Sequence, residues 1–347
     1  MKAAIRADAS AAIGLGHVKR CLALAQALRG NGATVTFLTR AIDVDSAALV
    51  DAEGFASIVI DAGQATDQAI DAEETLRHRD TFADGLMTVD HYALDAQWHG
   101  IVRAVSGARL VAIDDLADRL LDVDLLVDHN LGDLAVKYAG RIGARTVVLG
   151  GPRHALIGPS YAAASRHVPR LQVESIGIFM GGTDAANVSA VALEACRLAG
   201  FTGPVEIATT SGNPNLAALR KLAAARPHTT LTLDLPDLAA FFARHDLQIG
   251  AGGGATWERC CIGAPTLATI AAPNQAPVLR PLQSLDAVEL VESAADGALP
   301  TARQLAERLA ALLADAPRRA MLSSRSRALV DGRGAARVAD HLATLAP

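Results

Sequence analysis

Residues 5–20, IRADASAAIGLGHVKR, decide the fold, because they place a glycine-containing loop between an apolar run and a helical segment. Gly14 and Gly16 bracket one leucine, and good helix formers continue from Cys21 to a stop at Gly30. This pattern predicts a strand, a tight loop and a helix. Such a junction directs backbone N–H groups and the positive end of a helix dipole at its ligand, usually an anion. His17 lies there as a candidate proton acceptor, since imidazoles exchange protons near neutral pH.

Size and charge narrow the class of protein. The 347 residues are enough for two domains of ordinary size. There are 32 basic and 37 acidic residues, a formal net charge of -5, and only 3% of residues are aromatic. A nucleic-acid groove needs clustered cations and stacking rings, so we expect no nucleic-acid partner. The first residues resemble neither a signal peptide nor an anchor, and we expect no membrane span.

The four cysteines indicate a reducing compartment. Cys21, Cys196, Cys260 and Cys261 show no C-x-x-C spacing, and the adjacent pair is poorly placed to form a disulfide. We therefore expect reduced, buried thiols in a cytoplasmic protein.

Short apolar runs alternate with helical segments along the whole chain, which predicts parallel sheets covered on both faces. The alternation stops near residue 170 and restarts, so we predict an N-terminal Rossmann-like domain at 1–170 and a second at 171–347, with a helical C-terminal tail and a cleft between the domains. Predicted strands lie at 3–7, 34–38, 57–60, 86–90, 110–114, 125–128, 146–149, 176–180, 205–208, 231–233, 247–249 and 265–270. Predicted helices lie at 67–79, 95–105, 188–198, 216–225, 237–244 and 256–262.

Three of these strands end in aspartate, at Asp90, Asp114 and Asp128. Ligands of open α/β sheets bind outside the carboxyl ends of the strands, which makes such residues site candidates. Aspartate also caps helices and turns, and we favour that role for Asp114, Asp115 and Asp128.

Two glycine loops follow strands in the second half. In the first, residues 180–184 (MGGTD), the glycines allow close approach of a ligand, and Thr183 or Asp184 can cap the next helix. The second, residues 250–256 (GAGGGAT), suits a phosphate at a helix N-terminus. Glu258 is predicted in the first turn of that helix. It either faces hydroxyl groups such as those of a ribose or stabilises the helix dipole, and the sequence favours neither.

Several common motifs are missing. The third glycine of a dinucleotide fingerprint is replaced by Lys19, and the second strand is followed by Thr39 and Arg40 instead of an acid. No Gly-Lys-Ser/Thr P-loop or Gly-x-Ser-x-Gly elbow is present.

Glycine loops in both halves of a two-domain α/β protein are what a nucleotide-sugar enzyme of the GT-B architecture needs. Taken together, the motifs resemble the PseG family, UDP-2,4-diacetamido-2,4,6-trideoxy-β-L-altropyranose hydrolases of pseudaminic acid biosynthesis and relatives of the MurG glycosyltransferases. The matching segments are 6–22 (RADASAAIGLGHVKRCL), 89–95 (VDHYALD), 113–119 (IDDLADR), 128–132 (DHNLG), 150–153 (GGPR), 180–184 (MGGTD), 251–261 (AGGGATWERCC), 273–275 (PNQ) and 331–337 (DGRGAAR).

The resemblance implies the site residues. His17 would be the catalytic base, and UDP would leave from the anomeric carbon without a metal or other cofactor. Gly14 and Gly16 would line the sugar–phosphate side of the cleft, and Tyr92 would approach the sugar. The substrate and UDP would also meet Gly181, Gly182, Thr183, Gly253, Gly254, Ala255 and Thr256, with the last four receiving the diphosphate. Glu258 would bind the ribose, and Asn274 and Gln275 would face the sugar or the phosphate.

The same resemblance implies a cytoplasmic hydrolase whose partner is a small-molecule UDP-sugar, acting in a pathway to flagellin glycosylation, with a monomer as the default assembly. His91 and His129 are predicted to be structural, since neither has an evident partner. Segments 154–158 and 278–297 depart from the family pattern. A GT-B glycosyltransferase is the alternative enzyme, and a non-catalytic UDP-sugar-binding protein is the third hypothesis.

Overall fold

The computed structural model describes residues 1–10, 14–61, 67–164, 167–293 and 298–345. The chain divides into two compact units, one of residues 1–158 and 332–347 and the other of residues 159–331. Of the sequence-based expectations, residues 11–13 of the first loop and the end of the departing segment, 294–297, lie outside the described residues.

The first unit is a seven-stranded parallel sheet in the order β3-β2-β1-β4-β5-β6-β7. Its strands are β1 (Lys2–Ala7), β2 (Thr34–Thr39), β3 (Ala56–Val59), β4 (Leu86–Asp90), β5 (Arg109–Ile113), β6 (Leu125–Asp128) and β7 (Val147–Gly150). Its helices are α1 (Gly16–Gly30), α2 (Ser46–Ala52), α3 (Gln68–Arg77), α4 (Ala96–Ser106) and α5 (Leu134–Lys137), with 3-10 turns at Arg79–Thr81 and Pro152–His154.

The second unit is a six-stranded parallel sheet in the order β10-β9-β8-β11-β12-β13. Its helices are α6 (Pro159–Ala163), α7 (Val188–Leu198), α8 (Leu216–Ala225), α9 (Ala239–Arg244), α10 (Gly254–Ile262), α11 (Ala276–Ser284), α12 (Ala302–Ala314) and α13 (Ala316–Leu329). Its strands are β8 (Ile176–Phe179), β9 (Val205–Thr209), β10 (Thr229–Leu233), β11 (Leu247–Ala251), β12 (Thr266–Thr269) and β13 (Glu289–Val291), with a 3-10 turn at Pro273–Gln275.

The boundary between the two units does not lie at residue 170, where it was predicted. The break falls after Gly158, and the last helix, α14 (Gly334–Leu345), belongs to the first unit. There Val338 and Leu342 are buried in the same core as Leu24 of α1. The apolar face of α14 is therefore covered by the N-terminal unit, a pairing that no local sequence pattern reveals.

Both units confirm the predicted α/β class, and each predicted strand and helix overlaps an observed one. Strand β13 and helix α11 were not predicted. The strand has only three residues, and Pro277 and Pro281 interrupt the helical pattern of α11. Most of α11 and all of β13 lie in the departing segment 278–297, whose described part therefore completes the second sheet.

The other departing segment, 154–158, has a packing role in the first unit. Ala155, Leu156 and Ile157 are buried, and Leu156 lies in the core that contains α14. A Cβ atom at Gly334 would approach the backbone of Ala155 to less than van der Waals distance, so the two segments pack directly.

In both sheets the order in which the strands are added reverses next to a loop of interest. In the first unit β1 lies between β2 and β4, and Ala7 pairs with Asp90 at the carboxyl ends of the strands. In the second unit β8 lies between β9 and β11, with Phe179 paired to Gly250. Such switch points are where open α/β sheets bind ligands.

All four cysteines are free and buried, as the sequence predicts. Within the described ranges, no helix combines the length and the apolar character needed to cross a membrane.

A buried histidine ties the stability of the fold to pH. His99 of α4 is fully buried, and neither ring nitrogen has a hydrogen-bond partner in the part of the chain that the structure describes. Burial, followed by the charge of Arg119, lowers its pKa to about 4. The unfolded chain binds a proton at this residue near pH 6.5, so its contribution to stability is complete above that pH and is lost as the pH falls toward 4.

We predict that His99→Leu reduces the acid sensitivity of the fold. The fall in unfolding free energy between pH 7 and pH 5 should shrink by about 2 kcal/mol. Urea denaturation at the two pH values measures this difference. An unchanged difference would mean that His99 is protonated in the folded protein.

Candidate active site

The first candidate site is centred on His17, in the first turn of α1. Its Nδ1 atom lies 2.6 Å from Oδ1 of Asp90, whose side chain is fully buried at the end of β4. An ionised carboxylate only accepts hydrogen bonds, so Nδ1 carries the hydrogen and the lone pair of the neutral ring is on Nε2. The pair thus fixes the tautomer that a general base requires.

Asp90 is held in its ionised form. Burial by itself would raise its pKa, but the charges and hydrogen bonds of Arg20 and His17 lower the pKa well below its usual range. Arg20 donates to both carboxylate oxygens, each at 2.6 Å, and the thiol of Cys21 lies 3.5 Å from Oδ2. Two-pronged pairs of this kind are among the stronger hydrogen-bonded contacts in proteins.

Tyr92 and Asp115 extend this cluster. The rings of His17 and Tyr92 pack edge to face with centroids 4.6 Å apart, and the Tyr92 hydroxyl donates to Asp115 at 2.8 Å. Burial and the neighbouring charge of Asp115 raise the pKa of Tyr92, so the hydroxyl is neutral. Arg20 lies 3.5 Å from Asp115 and therefore bridges the two carboxylates.

Asp114 and Asp128 stabilise turns, as predicted, but Asp115 does not. Asp114 accepts the amide hydrogen of Ala117, and Asp128 accepts that of Asn130, both at 2.9 Å. Asp115 instead contacts side chains, those of Tyr92 and Arg20. Its position in sequence is that of a turn residue, and only the tertiary structure brings Tyr92 to it.

His91 and His129 are buried, at 8% and 6% exposure. His91 has partners that the sequence did not reveal: its Nδ1 accepts the Ala93 amide hydrogen, and Nε2 lies 3.4 Å from Asp8. Burial lowers the pKa of His129 to about 4, which keeps this ring neutral. Both fit the structural role that was predicted.

Gly14 and Gly16 form the loop that precedes His17. Gly14 adopts a positive φ of 75° and donates its N–H to the Ser10 carbonyl at 2.7 Å. Gly16 is exposed and begins α1, which has no side-chain cap. The amides of the first turn therefore remain available.

The second candidate site is the N-terminus of α10. Gly253 precedes the helix with a φ of 97°, a conformation that favours glycine, and no side chain caps the helix. Gly253 and Gly254 are exposed and Ala255 is half-buried. Thr256 is only 1% exposed, its N–H donates to the Gly253 carbonyl, and its hydroxyl accepts from Arg259.

The loop after β8 lies beside this helix end in the same sheet. Gly181 has a φ of 99°, and the Gly182 carbonyl accepts a hydrogen bond from Thr210 at 2.8 Å. Capping of the next helix is confirmed for Asp184, which accepts the amide hydrogens of Val188 and Ser189. Thr183 is half-buried and does not cap α7.

Glu258 lies in the second turn of α10, not in the first as predicted. The positive φ of Gly253 starts the helix at Gly254, so Glu258 is its fifth residue and the first turn contains no acid. This position removes most of the proposed interaction with the helix dipole, which fades after one turn. The carboxylate forms a hydrogen bond with Tyr161 of α6.

Asn274 and Gln275 occupy the 3-10 turn after β12. Asn274 is exposed. The side-chain carbonyl of Gln275 accepts amide hydrogens from Gly252 at 3.2 Å and Ala271 at 2.9 Å, so it joins the ends of β11 and β12. A Cβ atom at Gly252 would lie only 2.7 Å from the Cβ atom of Gln275, so a larger residue at position 252 would clash with Gln275.

Sequence reasoning missed the roles of Asp90, Arg20 and Asp115 at the first site. A signal was present, because His17, Arg20 and Cys21 have the i, i+3, i+4 spacing of one helix face. Among the described residues, no group of three or more His, Cys, Asp or Glu side chains is arranged to hold a metal ion.

Comparison with solved structures identifies the architecture. MurG from Acinetobacter baumannii superposes with a TM-score of 0.68 over 99% of this chain and all of that one, at 16% identity. A glycosyltransferase from Rickettsia africae gives 0.66 over 99% of this chain, at 12% identity. The fold is GT-B.

Curated relatives confirm the resemblance to the PseG family. The UDP-2,4-diacetamido-2,4,6-trideoxy-β-L-altropyranose hydrolase of Campylobacter jejuni is 27% identical over 69% of this chain and 80% of its own length. The spore coat polysaccharide biosynthesis protein SpsG of Bacillus subtilis is 24% identical over 97% of this chain and 96% of its own. No protein-family model matches the chain.

We predict that Asp90→Ala destabilises the first unit by about 3–5 kcal/mol, because it leaves the cation of Arg20 without its main partner in a buried setting. Asp115→Ala is the matched control, since its side chain is 22% exposed and more weakly paired with Arg20. It should cost about 1 kcal/mol or less. Chemical denaturation of both variants measures the difference, and equal losses would contradict the central role of Asp90.

Proposed function

We propose that this protein is a UDP-sugar hydrolase in which His17 activates water for attack at the anomeric carbon. The observation that carries the proposal is the 2.6 Å pair of His17 Nδ1 with the buried carboxylate of Asp90. Support for the substrate comes from the similarity to the Campylobacter jejuni hydrolase. We assign the same sugar nucleotide, UDP-2,4-diacetamido-2,4,6-trideoxy-β-L-altropyranose, to this chain.

In the proposed reaction, Nε2 of His17 takes a proton from water as the water oxygen bonds to the anomeric carbon. The bond from that carbon to the diphosphate oxygen breaks, and UDP leaves with the electron pair. The imidazolium is stabilised by Asp90 and then releases its proton to solvent. A positioned base of this kind contributes about 10²- to 10⁴-fold in rate.

UDP binding is assigned to the second unit. The exposed amides of Gly253, Gly254 and Ala255 at the start of α10 would receive the diphosphate, with Thr256 supporting the loop from beneath. These amides would stabilise the charge that develops on the leaving group, which is the work a metal performs in other enzymes. We propose no metal and no other cofactor.

The other substrate contacts are assigned by motif. Gly181, Gly182 and Thr183 would line the nucleotide side, Glu258 the ribose, and Asn274 the sugar or the phosphate. Gln275 would act there mainly by holding the Gly252 amide. In the first unit, Tyr92, Gly14 and Gly16 would approach the sugar.

We place the protein in the cytoplasm, as a monomer that acts on a small-molecule substrate. Its proposed pathway is pseudaminic acid biosynthesis, which leads to flagellin glycosylation. The similarity to SpsG, whose name places it in polysaccharide biosynthesis, supports a role in sugar biosynthesis of this general kind.

A GT-B glycosyltransferase is the second candidate, because the superposed solved structures include glycosyltransferases. Incubation of the purified protein with the UDP-sugar in water alone separates the two. We expect UDP and free sugar in equal amounts without any acceptor. Release of UDP only after addition of an acceptor would establish the transferase instead.

We predict that His17→Ala lowers kcat by about 10²- to 10⁴-fold while UDP affinity stays unchanged. Asp90→Asn should also lower kcat, because an amide can present a hydrogen to Nδ1 and favour the wrong tautomer. His78→Ala, at a half-exposed histidine after α3, is the control. Turnover by His17→Ala at the wild-type rate would rule out this residue as the base.

A further inference from the structure

Arg259 is a buried cation at the candidate diphosphate loop. Its side chain is among the largest that are fully buried, and the residue is 2% exposed. Nη2 donates to the Ala251 carbonyl at 2.6 Å and to the Thr256 hydroxyl at 3.3 Å. Nε and Nη1 are buried and have no hydrogen-bond partner among the described residues. A guanidinium that is left so incompletely satisfied costs stability, so its retention calls for an explanation.

The charge of Arg259 is not neutralised within the described part of the chain. No carboxylate there lies within ion-pair distance, although its chain neighbour Glu258 exerts a weaker attraction. The aromatic ring of Phe242 lies 5.7 Å from the guanidinium carbon. Burial lowers the pKa of Arg259 to about 10, which still leaves the group charged at neutral pH.

Other buried arginines of this protein are satisfied in full. Arg6 forms ion pairs with Asp8 and Asp71 at 2.6 and 2.7 Å. Arg319 of α13 donates to four backbone carbonyls, and none of its nitrogens is orphaned. Arg259 therefore differs from Arg6 in lacking an ion pair among the described residues, and from both arginines in having two buried donors without a partner there.

The strand beneath the loop is shaped around this side chain. A Cβ atom at Gly250 would lie 2.5 Å from Nη1 of Arg259, so the guanidinium occupies the space that a side chain at this position of β11 would need. The next residues are Ala251, which accepts the Arg259 hydrogen bond, and the loop 252–254 that starts α10. The guanidinium thus contacts the last residues of β11 and Thr256 in the first turn of α10.

We propose that Arg259 is a positioning residue that supplies the buried positive charge for binding the diphosphate at loop 252–254. It acts without touching the ligand, by holding the Ala251 carbonyl and by attracting an anion at the helix N-terminus through a medium of low dielectric constant. This inference rests on the proposed UDP binding. It adds a charged group to a site otherwise made of backbone amides.

Titration calorimetry with uridine, UMP and UDP tests the assignment. In Arg259→Met, UDP affinity should fall on the order of 10- to 100-fold, UMP affinity less, and uridine affinity not at all, because the loss follows the phosphate charge. Arg259→Lys should restore most of the UDP affinity. Arg319→Met is the matched control and should leave the ratio of UDP to uridine affinity unchanged.

A purely structural role would weaken all three ligands alike in Arg259→Met, and that result would overturn the inference. If this variant does not fold, Arg259→Gln, which keeps donors but no charge, replaces it in the comparison with Arg259→Lys. Failure of the wild-type protein to bind UDP would overturn both the proposed function and this inference. Binding of UDP without hydrolysis would overturn the hydrolase alone.

Discussion

The first site depends on the interaction of the buried Asp90 carboxylate with His17 and Arg20. Its charge is taken out of water at the end of β4, and Arg20 compensates it through both oxygens. His17 and Arg20 lie three residues apart on one face of α1, so the carboxylate fixes the rotation of the helix start as well as the imidazole. The same interaction therefore sets local structure and the tautomer of His17 that the proposed base requires.

The second site is built by a different physical device. There strand β11 is followed by glycines, of which Gly253 has a positive φ, and helix α10 begins without a side-chain cap. The donors are backbone amides, whose positions are set by the regular geometry of α10 and by the Gln275 side chain that joins β11 to β12. Because these donors need no rotamer to be ordered, they are well suited to a fixed anion.

The sequence predicted the class of fold and most elements, because alternating apolar runs and helix formers are local signals. The glycine loops at both switch points could also be predicted, because their glycines follow predicted strands. What could not be predicted was long-range: α14 returns to the core of the first unit, and Asp115 meets Tyr92. The start of α10 was misplaced by two residues, since a positive φ at Gly253 is visible only in the folded backbone.

The distribution of charge explains why the two helix starts should not be interchangeable. The start of α1 lies beside the carboxylates of Asp90 and Asp115, which Arg20 must already bridge. A diphosphate there would meet two anions for one cation. At the start of α10, Thr256 accepts a hydrogen bond from Arg259, whose charge has no carboxylate at ion-pair distance in the described residues. Electrostatics therefore supports the proposed placement of the diphosphate at α10 and the proposed use of the α1 imidazole on a neutral sugar and water.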